Sequence, residues 1–159
     1  MATVVRKPGP GSARLQALLE GLKADATTKV GWFASAKYPE GQQVAYIASI
    51  HEFGAGPIPP RPFFRPTIAT QREAWRESLA RGAKAIADGR LTAAQVLDAV
   101  GEKAAAEVAR SITKVNAPAL SEATIRARQR AKGGKVASVK PLQDTGYMLA
   151  SLTHLTETT

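Results

Sequence analysis

The chain has 159 residues, 44% of them hydrophobic, which suits one folded domain with a real core. It has no cysteine, which excludes disulfide frameworks, thiolate zinc sites and cysteine nucleophiles. Its net charge of +9 favours anionic partners, and no apolar run approaches the roughly 20 residues that cross a bilayer. The opening Met1, Ala2, Thr3, Val4, Val5, Arg6 and Lys7 lacks the apolar stretch of a signal peptide. A protein made in a cytoplasm, with no membrane partner, is therefore expected.

Residues 1–11 read as a flexible segment, after which Ser12 can cap a helix. Leu15, Leu18, Leu19 and Leu22 follow at i, i+3, i+4 and i+7, one apolar stripe. Thr28 to Ser35 alternates, with Val30, Trp32 and Ala34 on one face, and reads as a strand. The run Tyr38, Pro39, Glu40 and Gly41 is a turn. Between Gln42 and Phe53, Val44, Ile47 and Ile50 recur at helical spacing, and Gly54 marks the stop.

Gly54 to Pro66 holds five prolines, at 57, 59, 60, 62 and 66, which lock φ and remove amide donors. An extended, polyproline-like path is expected there. A helix with Ile68, Trp75, Leu79 and Ile86 follows Pro66 and ends at Asp88 and Gly89. Thr92 with Gln95 reads as the capping box of a second long helix, whose stripe is Val96, Val100, Ala104, Val108 and Ile112. Asn116, Ala117 and Pro118 break it, and Ser121 caps a short basic helix. Lys132, Gly133, Gly134 and Lys135 form a loop. Asp144, Thr145 and Gly146 introduce a last helical turn with Met148, Leu149 and Leu152, and Thr153 to Thr156 suits a strand.

The positive charge is local. From Lys114 to Lys140 seven basic residues face one acidic residue, a net +6. Arg126, Arg128, Arg130, Lys132 and Lys135 are the candidates for contact with DNA phosphates or an acidic partner. The arginines alternate with small or polar residues and spread around a helix axis, which argues against a groove-reading face. Aromatic residues are absent there, so stacking on bases is not expected. Two readings stay open: a solvated loop, or a surface for a polyanion.

Catalytic chemistry finds no support in the pattern. His51 and His154 are the only histidines, neither has a partner recognisable by spacing, and a capping or packing role outweighs a catalytic or metal role. No catalytic residue, metal site or cofactor is expected, since the glycine-rich stretches match neither a dinucleotide fingerprint nor a P-loop. The most specific feature is Ile58, Pro59, Pro60, Arg61, Pro62, Phe63, Phe64 and Arg65, a stiff backbone carrying paired aromatics and two guanidinium groups. As a docking element it offers low entropy loss, apolar area and bidentate pairing to carboxylates. The alternative is that it packs on its own domain and orients the next helix.

Three segments in order carry a resemblance: residues 46–54 with His51, Glu52, Phe53 and Gly54; residues 58–66; and residues 141–152 with Leu142, Asp144, Thr145, Gly146, Leu149, Ser151 and Leu152. Together they resemble the tail-component and virion-morphogenesis families of tailed bacteriophages, over residues 28 to 153. The resemblance implies an α+β subunit, a small antiparallel sheet packed by two long helices with extended loop arms; length and charge add one domain over residues 1–159 with a basic arm at 114–140. It implies a non-enzymatic virion protein of the neck or tail end, assembled in the host cytoplasm. The partners implied are a homo-oligomeric ring, adjacent connector and tail-tube proteins, and non-specific contact with genomic DNA in the lumen. By the same resemblance, residues 58–66 shape the loop before a long helix, and Asp144, Thr145 and Gly146 start the last helix. The family's final strand is fuller than Thr153 to Thr159 provides, so a short strand, or one completed by a neighbouring subunit, is expected.

Overall fold

A computed structural model of the chain describes residues 26–131 and 138–158, together with Gly11, Leu15, Gln16 and Leu19, which are helical. Ser12, Leu18 and Leu22 of the expected first helix lie outside the described residues, as do Lys132 and Lys135 of the basic arm.

Strand β1 (Ala26–Gly31) pairs antiparallel with β2 (Thr153–Thr158), from Ala26 opposite Thr158 to Gly31 opposite Thr153. The last strand is thus short and pairs with a strand of the same chain. Strand β1 lies two residues earlier than the alternation places it, and it ends at Gly31, whose φ of 151° suits only glycine. Trp32 leaves the sheet there and turns inward. Its ring meets Phe63 edge-on at 5.9 Å, and its Nε1 donates to the Met148 carbonyl at 2.7 Å. Periodicity alone does not separate a strand from a loop residue pulled into the core.

The turn at Tyr38 to Gly41 is closed by the Gly41 amide on the Tyr38 carbonyl at 2.8 Å. Helix α1 (Val44–Phe53) follows, then a tight turn in which Ala55 and Ile58 exchange two backbone bonds. The proline-rich segment therefore opens with a turn, and residues 59–62 are in neither helix nor strand. Helix α2 (Phe64–Ala87) starts two residues before Pro66, not after it. Proline is tolerated there because a first-turn amide has no intrahelical partner to lose.

Asp88 and Gly89 close α2, and α3 (Ala93–Lys114) begins with the expected capping box of Thr92 and Gln95. The two long helices touch where Gly82 lies against Val96, and the Trp75 indole donates to Glu107 across the pair. Of the expected stripe, Val96, Ala104, Val108 and Ile112 are buried; Gly101, beside Val100, takes the remaining place. It packs α3 on the sheet, next to Thr28 and His154. Helix α4 (Glu122–Ala131), capped by Ser121, and the single turn α5 (Tyr147–Ala150) complete an α+β fold. The main core is Val44, Ala48, Phe63, Val108, Ile112, Leu142 and Met148, drawn from three helices and two loops.

Candidate functional site

Helix α1 presents Val44, Ala48 and Glu52 at four-residue spacing on its buried side, so the apolar stripe ends in a carboxylate. Glu52 is 4% exposed, and a buried charge of that kind requires partners. They come from the start of α2. Its Oε2 accepts the amides of Phe63 and Phe64, and its Oε1 accepts the amide and Nε of Arg65 at 3.0 and 2.9 Å. Pro66, next in line, has no amide to satisfy. Helix α2 has no cap from its own N-cap residue, Phe63, so Glu52 caps it from another helix and meets the positive end of its dipole. Burial pushes the Glu52 pKa up, but the amides of Phe64, Phe63 and Arg65 and the Arg65 guanidinium outweigh it, and the carboxyl ionises below its ordinary value.

All four residues from His51 to Gly54 hold the segment that follows. The His51 carbonyl accepts the Arg61 amide at 2.7 Å. The Glu52 carbonyl accepts Nη2 of Arg65 at 2.8 Å, while the Phe53 ring lies under that guanidinium at 4.7 Å. Gly54, at φ 80°, passes so close to Pro60 that a Cβ there would stand 3.1 Å from its ring. Two sequence motifs are thus two halves of one joint.

This joint divides the residues singled out for docking. Phe63 is 1% exposed and sits in the core, where it cannot dock on a partner. Arg61 is 5% exposed, and its Nε and Nη2 are taken by the carbonyls of Pro118 and Ala119 at 2.7 and 2.9 Å. The carboxylate expected for Arg65 is the chain's own Glu52. Phe64 is half-buried against Trp32, and Ile58, Pro59, Pro60 and Pro62 remain exposed. For Phe63, Phe64 and Arg65 the reason is geometric: buried Glu52 needs donors, and the chain supplies them from this segment.

The basic residues divide as well. Arg126 and Arg130 are exposed, Arg126 paired with Glu122 at 3.1 Å. Arg128 is not an outward phosphate ligand. Its side chain is 12% exposed, its Nη1 donates to the carbonyls of Ser138 and Lys140, and its Nε lies 3.5 Å from Asp144. It ties α4 to the loop before α5. Gly146 is the N-cap of α5, at φ 76°, and Thr145 Oγ1 accepts the Tyr147 amide at 3.2 Å. Asp144, Thr145 and Gly146 therefore start the last helix, with Thr145 as the hydroxyl acceptor.

His154 pairs through Nε2 with Asp98 Oδ1 at 3.0 Å, and the same oxygen takes the Thr156 hydroxyl at 3.1 Å. This joins α3 to β2. Among the described residues no three histidine, aspartate or glutamate side chains gather to hold a metal ion, and no helix is long and apolar enough to cross a membrane. Sequence reasoning missed Glu52 as the organising residue; an acidic side chain closing the Val44 and Ala48 stripe was the available signal.

No protein-family model matches the chain, and neither does any curated protein or solved structure.

Proposed function

We propose that the chain is a non-enzymatic structural subunit of a tailed bacteriophage, one copy of a ring that completes the tail or joins it to the head. The observation that carries the reading is spatial. The three segments behind the phage resemblance meet in one unit: Glu52 caps the helix begun by residues 58–66, and Phe63 shares its core with Leu142 and Met148. A set of motifs that depend on one another physically is a firmer basis for resemblance than three separate words.

The surface suits assembly. Tyr46 and Phe53 on α1 are exposed at 63% and 64%, and Ile58 is also partly exposed near Phe53's end of the helix. Aromatic residues on a stiff support lose little entropy when a neighbouring subunit covers them. Exposed Arg126 and Arg130 favour a second reading, a basic protein that binds DNA non-specifically through phosphates.

Native mass measurement with negative-stain imaging, on the protein alone and with connector and tail-tube proteins, separates the two. Rings, alone or with those partners, are expected. A monomer that ignores every neck component yet holds duplex DNA tightly at physiological salt would overturn the first reading for the second.

A further inference from the structure

Arg61 is buried with two carbonyl oxygens as partners and, among the described residues, no carboxylate within ion-pair distance. Carbonyls satisfy donors without neutralising the charge, and buried charges ordinarily find a counter-charge. Arg128 stands in the same cleft, its nearest carboxylate the half-exposed Asp144. His51 lies with them, and its enclosed Nδ1 has no hydrogen-bond partner among the described residues. Burial, then the charges of Arg61 and Arg128, hold its pKa below the ordinary value, so this imidazole feels a positive field.

The cleft they share, of about 330 Å³, runs between the 57–61 segment and the start of α4. Ile58 and Pro59 form one wall, Leu120 and Thr124 the other, and no acidic residue lines it. We infer that this cleft docks an acidic segment of a partner protein, a carboxylate entering toward Arg61, Arg128 and His51 while a neighbouring apolar side chain rests on Ile58, Pro59 and Leu120. Charge complementarity selects the carboxylate. The apolar walls favour protein over nucleic acid, because the phosphates that would meet Arg61 and Arg128 are the outermost, hydrated part of a duplex, with the base faces stacked inside it. The inference stands on the cleft and does not depend on the virion reading.

The test titrates a labelled, capped peptide of alternating Glu and Leu into the full chain at physiological salt, beside its Gln-for-Glu counterpart and a duplex DNA of arbitrary sequence. The Glu peptide binds saturably, and the Gln peptide about tenfold or more weaker, as loss of a charge-assisted contact implies. Thr124→Glu places a like charge in the cleft, and because Thr124 is three residues after the Ser121 cap it completes a capping box and keeps α4 folded. It abolishes binding; Thr124→Ala retains it. The imidazole resonances of His51, which faces Arg61, Arg128 and Asp144, titrate at higher pH with peptide bound.

Absence of saturable binding, equal affinity for the Gln peptide, or binding undiminished by Thr124→Glu overturns the inference. Duplex DNA displacing the peptide from the wild-type cleft makes it a nucleic-acid site instead. Self-association lost in Thr124→Glu makes a second copy the occupant.

Discussion

One oxygen of Glu52, Oε2, accepts the backbone amides of both Phe63, at 2.8 Å, and Phe64, at 2.9 Å. That fork places the first turn of α2 on the end of α1 and, through Phe63, fixes one corner of the core. Glu52→Ala leaves those amides and that of Arg65 without their acceptor, and an expected loss of about 2 kcal/mol follows from the lost cap and the unsatisfied donors. Urea unfolding followed by circular dichroism measures it.

The same carboxylate makes stability depend on acid. Its folded pKa is depressed, so its contribution is complete above the unfolded value of about 4.3 and is lost as pH falls through the folded one. Glu52→Gln, which has no such titration, loses less stability than the wild type on going from neutral pH into that acid window. Unfolding midpoints compared across pH check the difference; parallel curves count against it.

Phe63 and Phe64 are adjacent yet unequal. Phe63→Ala opens a cavity in a fully enclosed site and costs about 3–5 kcal/mol, whereas Phe64→Ala, at a half-buried site, costs about half as much. Thermal melts of the two variants side by side give the ranking.

Glycine spacing sets how closely α3 approaches its neighbours. A Cβ at Gly101 would stand 2.5 Å from Thr28 Oγ1 and 2.9 Å from His154 Cδ2. Gly101→Ala is expected to destabilise by about 1–3 kcal/mol despite the roughly 1 kcal/mol that alanine gains in helix propensity. A rise in melting temperature would contradict it. Gly82→Ala meets Val96 in the same way, and pairing it with Val96→Ala restores part of the loss.

Arg128 and Arg126 lie two residues apart on α4 and are expected to respond oppositely. Arg128→Ala removes the donor to Ser138 and Lys140 and speeds hydrogen exchange in residues 138–144, while Arg126→Ala, an exposed pair, changes stability by less than about 0.5 kcal/mol. Exchange measured by mass spectrometry reads both.

Much of the fold was legible in the residues themselves, because local rules govern it. The Thr92 and Gln95 capping box, the Val96 to Ile112 stripe, the turn at Gly41 and the end of α2 at Gly89 depend on side chains within a turn or two of one another. Trp32 was misplaced on a strand because alternation records burial, and its burial comes from Phe63 and Met148, far along the chain. The fate of residues 58–66 was likewise beyond any local rule. Whether Phe63 faces a partner or its own core depends on Glu52 needing donors, and on which amides the folded chain brings within 3 Å of it. Sequence alone therefore determined helices α1, α3 and α4, the caps Thr92 and Ser121, and the site of the positive charge. Only the tertiary structure decided which of the arginines and aromatics remain on the surface, since desolvation and pairing are settled by neighbours in space.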